Sequence, residues 1–103
     1  MTDARAVIQA AISESELQGF VVTLARTHGW LAYHTHDSRR SEAGFPDLCL
    51  VRDGRVIFAE LKSMKGKVTD AQQRWLDELG GADGVEVYVW RPVDIDDLNG
   101  ILR

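Results

Sequence analysis

The 103-residue sequence has little cysteine, little proline and no long hydrophobic run. Its one cysteine, Cys49, excludes an internal disulfide and a zinc site built from several cysteines. No apolar stretch approaches the roughly 20 residues that a membrane-spanning helix needs, and no signal-peptide pattern is present. With 45% hydrophobic and 27% charged residues, the composition is typical of a globular protein. We expect one domain over residues 1–103 and a cytoplasmic location.

An excess of basic residues is also lacking, since the formal net charge is −4. This balance argues against nucleic-acid binding as a property of the whole surface. The basic residues nevertheless include two local pairs, Arg39 with Arg40 and Lys65 with Lys67, whereas acidic residues gather at positions 77 to 97. Each basic pair would either contact DNA phosphates or belong to an ordinary solvated loop.

The most informative segment is a predicted β-hairpin with ionisable residues at its open end. Asp53-Gly54 stands between two apolar runs, which is typical of a two-residue type I′ turn. With that turn, counting outward along both strands places Asp47 opposite Glu60, with Cβ atoms roughly 5 Å apart. Two carboxylates held so close repel each other unless a cation lies between them. The register therefore predicts a metal site.

The predicted site has the ligands that Mg²⁺ and Mn²⁺ prefer. Asp47 and Glu60 supply carboxylate oxygens, the main chain of Leu61 supplies a carbonyl, and waters complete the coordination. Lys62 projects from the same face of the strand as Glu60, because side chains two positions apart share a face. Its ammonium would stabilise negative charge on a phosphate or position a water, and the metal would lower the pKa of its bound water. Together these groups predict in-line hydrolysis of a phosphodiester bond.

A structural interpretation of the same residues stays open. In it, Glu60 and Lys62 form an exposed ion pair, and Asp47 caps a turn after Pro46. Against it, the hairpin strands are apolar on both faces, as in strands at the centre of a sheet that is covered on both sides. Carboxylates buried at the end of such a sheet would cost several kcal/mol if they were left unpaired.

Patterns along the rest of the chain predict the other elements. They are a helix from the capping box Ser13-x-x-Glu16 to His28-Gly29, a strand over 30–35, the hairpin, a helix from the capping box Thr69-x-x-Gln72 to about Leu79, a strand over Val85–Trp90 and a short helix capped by Asp94. Residues 1–12 would extend the first helix or contact a partner. The order αβββαβα predicts an α/β fold with a mixed four-stranded sheet flanked by helices.

Several aromatic and histidine residues have two interpretations each. Trp30, Trp75 and Trp90 lie in core-like patterns, so packing is favoured over stacking on unpaired bases. His34 falls on the predicted first strand, where a structural role is favoured over a place in the site. Cys49 lies within an apolar strand, which favours buried packing over reactivity.

Two motifs connect this pattern to a known family. Pro46-Asp47 is followed by twelve residues and then by Glu60-Leu61-Lys62, which resembles the PD-(D/E)xK nuclease motif. The addition of Gly44-Phe45, the Arg-Asp-Gly hairpin, and Val68-Thr69-Asp70-Ala71-Gln72 with Trp75 makes the chain similar to a stand-alone VRR-NUC domain, the virus-type replication-repair nuclease family. The resemblance covers residues 16–91. It implies the restriction-endonuclease-like αβββαβ core.

The resemblance implies a role for each matching residue. Asp47 and Glu60 would bind the metal, and Lys62 would be the catalytic lysine. Glu16 would hold a metal-bound water or a second metal, unless it serves only its capping box. Gln72 would lie near the active site, with helix capping as the alternative.

The resemblance also implies a substrate and an assembly. Small members of the family are associated with phage and bacterial DNA metabolism, so we expect a homodimer that cuts branched DNA such as four-way junctions, with two sites related by a twofold axis. One alternative is a non-catalytic DNA-binding accessory module of a larger nuclease or helicase assembly; the intact Asp, Glu and Lys set argues against it. Another is a sequence-specific restriction or repair nuclease, for which the short chain leaves little room.

Overall fold

The computed structural model describes residues 3–35 and 41–103, which form a four-stranded mixed sheet with helices on both faces. The elements of these segments are α1 (Ala4–Ala11), α2 (Glu14–Thr27), β1 (Leu31–His34), β2 (Leu48–Arg52), β3 (Arg55–Leu61), α3 (Asp70–Gly80), β4 (Val85–Trp90), a 3₁₀ helix (Pro92–Asp94) and α4 (Ile95–Leu102). The strand order is β1-β2-β3-β4, with the first three strands antiparallel and β4 parallel to β3. The predicted α/β fold is confirmed.

The hairpin has the predicted turn and register. Both residues of the Asp-Gly turn have positive φ values, 49° and 81°, as a type I′ turn requires. Leu48 pairs with Ala59, so the next residues outward, Asp47 and Glu60, lie opposite each other beyond the last pair of the ladder. The turn chemistry therefore determines which charged residues meet at the end of the sheet.

Two arginines face each other at the other end of the hairpin, Arg52 and Arg55. Like charges in that position would repel each other. Both guanidinium groups lie over the Trp30 ring, at 4.5 and 4.9 Å from its centroid. They also donate hydrogen bonds to the main-chain carbonyls of Leu102 and Ile101, at 2.9 and 3.1 Å. These contacts offset the repulsion and attach α4 to the sheet.

One face of the sheet carries the hydrophobic core, beneath α2 and α4. Its core contains Leu17, Val21, Val22 and Ala25 from α2, Leu98 and Leu102 from α4, and Leu48, Leu50, Ile57, Ala59 and Leu61 from the hairpin. Trp30 and Trp90 are buried with them, as their core-like patterns predicted. Within the described residues, no helix combines the length and the apolar composition that crossing a membrane requires.

The opposite face is only half covered, and the prediction that both faces of the hairpin strands are buried was wrong. Trp75 of α3 packs edge-on against Phe45, which packs in the same way against Phe58 of β3, with ring centroids 5.1 and 5.8 Å apart. Because α3 packs mainly against β4, it leaves the β1 side of this face open. Val51 is accordingly 37% exposed, and Cys49 is partly exposed rather than buried.

Both ends of the chain differ from the prediction. Residues 4–11 form a separate helix rather than an extension of α2, because Ile12 and Ser13 have extended backbone conformations; contact of this segment with a partner stays a prediction. The side chain of Asp94 does not cap α4. It accepts a hydrogen bond from the main-chain N–H of Arg91 at 2.8 Å and so closes the preceding 3₁₀ turn.

Candidate active site

The open end of the hairpin brings together the residues predicted to perform the chemistry. Asp47 Oδ2 accepts a hydrogen bond from the main-chain N–H of Leu61 at 2.8 Å. The main-chain carbonyl of Asp47 accepts another from the N–H of Thr35 at 3.2 Å. Asp47 is therefore fixed between the ends of β1 and β3, beside Glu60 and Lys62.

Glu60 is 2% exposed, which is unusual for a carboxyl group. Its pKa is raised to about 9, first because burial disfavours the charged form, and then because of a hydrogen bond with Asp47 and the charge of that residue; the Lys62 ammonium opposes the shift. Glu60 Oε2 is buried and has no hydrogen-bond partner among the described residues. A divalent cation at this point would neutralise the carboxylate and give the unpartnered oxygen a ligand bond.

The donor set fits Mg²⁺ or Mn²⁺. No three His, Cys, Asp or Glu side chains converge on one point in the described segments. Such a site would therefore consist of the Asp47 and Glu60 carboxylates and the Leu61 carbonyl, with waters as the other ligands. That composition suits Mg²⁺, which keeps several waters, and excludes a cage made of protein ligands alone.

Lys62 is 7% exposed, and its main-chain N–H donates to the carbonyl of Trp90 at 3.0 Å. The alternative interpretation of Glu60 and Lys62 as an exposed ion pair is therefore wrong, because both residues are buried. A buried ammonium is weakly screened by water, so its interaction with a phosphate is stronger than that of a surface lysine.

The loop that follows β3 is held in place by Arg91. Its Nη1 atom donates to the main-chain carbonyls of Ser63 and Gly66, at 2.7 and 2.6 Å. The N–H of Gly66 in turn donates to Ser63 Oγ at 3.1 Å. Lys65 and Lys67 are exposed in this loop, on either side of Gly66, where a Cβ atom would lie 3.2 Å from Glu14 Oε1 and 3.4 Å from Lys62 Cδ. The loop therefore has a fixed main chain and freely accessible cations.

Helix α2 contributes a glutamate that sequence reasoning missed. Glu14, Ser15 and Gln18 face Asp47 and Leu61 across a cavity of about 210 Å³. The spacing of Glu14 and Gln18, four positions apart, places both on one face of the helix and is the signal that identifies them.

Glu16, the predicted helical member of the site, does not line this cavity. Its carboxylate accepts a hydrogen bond from the main-chain N–H of Ser13 at 3.1 Å, and Ser13 Oγ accepts from the Glu16 N–H at the same distance. The bonds with Ser13 lower the pKa of Glu16. The geometry thus assigns Glu16 to the capping box, the alternative that the sequence left open.

Gln72 combines both of its predicted roles. Its Oε1 atom accepts from the main-chain N–H of Thr69 at 2.9 Å, which completes the capping box of α3. Gln72 also lies with Asp47 in the lining of a second, larger cavity of about 560 Å³. Tyr33, Thr35, Ser41, Glu42, Phe45 and Trp75 are further members of that lining.

The remaining predicted residues differ in how they relate to the site. His34 contacts the site indirectly, since its Nδ1 atom is 3.5 Å from Nε2 of Gln18, which lines the smaller cavity. Lys65 and Lys67 are exposed in the loop that follows Lys62. Arg39 and Arg40 lie outside the described residues.

An α/β domain with a mixed four-stranded sheet, and with a half-buried Asp47 beside the buried Glu60 and Lys62 at one sheet end, has the architecture of a nuclease. Comparison with known proteins identifies the family. The model of the VRR-NUC domain family matches residues 5–94, so the chain belongs to that family. It is accordingly a nuclease-type, DNA-processing domain.

Two solved structures share the fold. One, described as a VRR-NUC domain, is 21% identical, with a TM-score of 0.67 over 84% of this chain and 95% of that chain. The other, a VRR-NUC domain protein, is 20% identical, with a TM-score of 0.66 over 88% of this chain and 85% of that chain. No curated protein matches the sequence.

Proposed function

We propose that the chain is a Mg²⁺- or Mn²⁺-dependent endonuclease that hydrolyses phosphodiester bonds in DNA. The supporting observation is the buried Glu60 carboxyl group, which has an unpartnered oxygen beside Asp47 and Lys62. Such a group destabilises a metal-free fold, because burial and the neighbouring carboxylate both oppose its ionisation. A module that only binds DNA would have no use for a buried carboxyl group that lowers its folding stability. A cation-binding site that acts on phosphates explains it.

Each residue of the site has a distinct part in the proposed reaction. Asp47, Glu60 and the Leu61 carbonyl would hold the metal, which when bound lowers the pKa of a coordinated water and polarises the phosphate. Lys62 donates hydrogen bonds to a non-bridging oxygen of the scissile phosphate and stabilises the charge that develops there. Glu14 accepts a hydrogen bond from the attacking water and orients it toward the phosphorus.

DNA binding is assigned to the basic residues around the site. Lys65 and Lys67, which follow the motif in the sequence, would contact phosphates next to the one that is cut. Arg39 and Arg40, which precede the motif, would also contact phosphates. Contacts of this kind position the duplex without reading its sequence, and they weaken as salt rises. A protein with net charge −4 needs such a local surface to bind DNA at all.

We further propose that the substrate is branched DNA, such as a four-way junction, cut by a homodimer during phage or bacterial DNA replication, repair or recombination. A twofold dimer has two identical sites that face the two strands of a symmetric branch. Light scattering at micromolar protein tests the assembly. A monomer at that concentration would exclude paired cutting of a junction.

The decisive experiment incubates the purified protein with supercoiled plasmid and with synthetic four-way junctions, in Mg²⁺, Mn²⁺ or EDTA. Lys62→Ala should lose cleavage and keep junction binding, because the ammonium acts on the transition state. Arg26→Ala is the matched control. It removes a positive charge roughly 18 Å along α2 from Glu14 and should cleave as the wild type does.

Cutting in EDTA, or full activity of Lys62→Ala, would contradict the proposed mechanism. If the Lys62→Ala variant lost both junction binding and cleavage, Lys62 would be reassigned to DNA binding. Preference for linear duplex over junctions would leave the nuclease assignment intact and overturn the branched substrate.

A further inference from the structure

The larger cavity beside the site has properties that the cleavage chemistry does not require. It has a volume of about 560 Å³ and lies between β1, the segment before β2 and the start of α3. A volume of this size is in the range of small-molecule binding pockets. The lining includes the aromatic rings of Tyr33 and Trp75, and it shares Asp47 with the proposed metal site.

The charges of the lining select the kind of ligand. Glu42 and Asp47 contribute carboxylates, and no lysine or arginine is among the described lining residues. The described lining residues therefore disfavour a phosphate group inside the cavity. Thr35, Ser41 and Gln72 add hydrogen-bonding groups to the aromatic surfaces. A flat, uncharged ring with polar edges fits this combination.

We propose that the cavity binds an unpaired nucleobase of the DNA strand, next to the phosphate that a metal bound by Asp47 and Glu60 would engage. This inference rests on the proposed nuclease function and specifies its substrate. A strand whose phosphate is at that metal has a base one sugar away, within reach of the cavity. That base enters only if it is not stacked in a duplex. Unpairing costs least at mismatches, branch points and single-stranded segments, so the cavity selects DNA with such nucleotides.

Tyr33 is the lining residue best placed to stack on the base. It lies on the edge strand β1 and is 64% exposed, on the half of the sheet face that α3 leaves uncovered. An exposed aromatic ring beside polar groups is a common platform for unpaired bases. Because Tyr33 is exposed, its replacement leaves the core intact.

Leu31 provides a matched control for Tyr33. It is two positions away on β1, projects from the same face, is 75% exposed and does not line the cavity. Leu31→Ala therefore changes a similar apolar surface without changing the proposed base site.

The test uses duplexes with a single unpaired nucleotide at the cleavage position, in three forms: a normal base, 2-aminopurine, and an abasic residue. Affinity for all three forms is measured in Ca²⁺ by fluorescence anisotropy of an end-labelled strand, entry of the base into the cavity by 2-aminopurine fluorescence, and cleavage in Mn²⁺. We expect Tyr33→Ala to bind the unpaired substrate roughly 5- to 100-fold more weakly, the loss typical of one base–aromatic stack. Tyr33→Phe should retain most of the binding, and Leu31→Ala all of it.

The abasic substrate separates base binding from other effects. It should bind the wild type as weakly as the normal substrate binds Tyr33→Ala, and it should bind both proteins equally, since the stacking partner is already absent. Equal affinity of wild type and Tyr33→Ala for the normal substrate would overturn the base site, whether or not the protein cleaves. A fluorescence change without cleavage would support the base site while overturning the nuclease function.

Discussion

Asp47 accepts a hydrogen bond from the main-chain N–H of Leu61 at 2.8 Å, so one carboxylate both closes the hairpin and faces the proposed metal. Asp47→Asn separates the two roles, because its amide oxygen can still accept from Leu61 while its negative charge is gone. We expect the free energy of unfolding of the metal-free variant to remain within about 1 kcal/mol of the wild type. Cleavage in Mn²⁺ should fall by a factor of about 100 or more.

Chemical denaturation and plasmid cleavage measure the two effects. Asp47→Ala is the matched control, since it removes the acceptor as well and should also cost about 1–3 kcal/mol of stability. An Asp47→Asn variant that cleaves normally would contradict the assignment of Asp47 as a metal ligand.

Glu14 and Glu16 form a second natural pair for comparison, because both lie in the first turn of α2. Glu16→Ala removes half of the capping box and should cost about 1 kcal/mol of stability, with cleavage unchanged. Glu14→Ala should lower the cleavage rate about tenfold or more, because Glu14 lines the cavity that contains Asp47. Thermal unfolding and cleavage assays on both variants test this. Loss of cleavage in Glu16→Ala, with cleavage kept in Glu14→Ala, would show that Glu16 and not Glu14 belongs to the site.

The sequence predicted the carboxylate pair because it depends on one local feature. The Asp53-Gly54 turn sets the register of the hairpin, and the register alone brings Asp47 and Glu60 together. Local turn chemistry is encoded in a few adjacent residues, so it can be recognised without the rest of the fold. The same holds for the two capping boxes.

The helical glutamate could not be assigned in this way. Glu14 and Glu16 carry the same charge and lie on the same helix. Which of them faces the site depends on how α2 is rotated about its axis over the sheet. Packing of Leu17 and Val21 in the core sets that rotation. The half-open face around Val51 has a similar origin, since its exposure depends on which strands α3 covers.

Arg91 offers a test of how the loop after β3 is ordered, because one of its nitrogens donates to the carbonyls of both Ser63 and Gly66. Arg91→Gln should free the loop and raise the hydrogen-exchange rate of the Gly66 N–H. Cleavage should fall about tenfold, because the loop carries Lys65 and its Gly66 lies close to the stem of Lys62. Arg91→Lys keeps a charged donor and should recover part of both properties.

Hydrogen exchange followed by NMR or mass spectrometry measures the order of the loop independently of activity. Arg74→Gln is the control, since Arg74 is an exposed arginine on α3. Unchanged exchange in Arg91→Gln would show that the loop is held by other contacts.

Gly44 and Gly54 both have positive φ, 94° and 81°, but differ in the space around them. A Cβ atom at Gly44 would lie 2.5 Å from main-chain atoms of Ala71, at the start of α3, whereas a Cβ at Gly54 meets nothing within 4 Å. Gly54→Ala should therefore cost about 1 kcal/mol for its backbone conformation alone. Gly44→Ala should cost about 2–3 kcal/mol more, because α3 must move. Equal losses in urea denaturation would contradict close packing at Gly44.

The Arg55–Glu86 pair predicts a pH dependence of stability. Arg55 donates through Nε and Nη2 to the two oxygens of Glu86, both at 2.8 Å, and Tyr88 Oη donates to Glu86 at 3.0 Å. The hydrogen bonds from Arg55 are the main reason why the pKa of Glu86 is lowered from 4.5. Because the folded-state pKa is the lower one, the unfolded chain takes up its proton first as the pH falls. The stabilisation is therefore complete above the unfolded-state pKa and is lost as the pH falls through the folded-state value.

Glu86→Gln removes this stabilisation at neutral pH. We expect it to lower the free energy of unfolding by about 1 kcal/mol at pH 7, since the pair is partly exposed and screened by water. The difference from the wild type should shrink below about pH 4.5, the unfolded-state value, as the wild-type carboxyl also becomes protonated. Urea titrations across this range measure it, with Glu78→Gln on the exposed surface of α3 as the control. A difference that persists unchanged in acid would mean that Glu86 contributes through packing rather than through its charge.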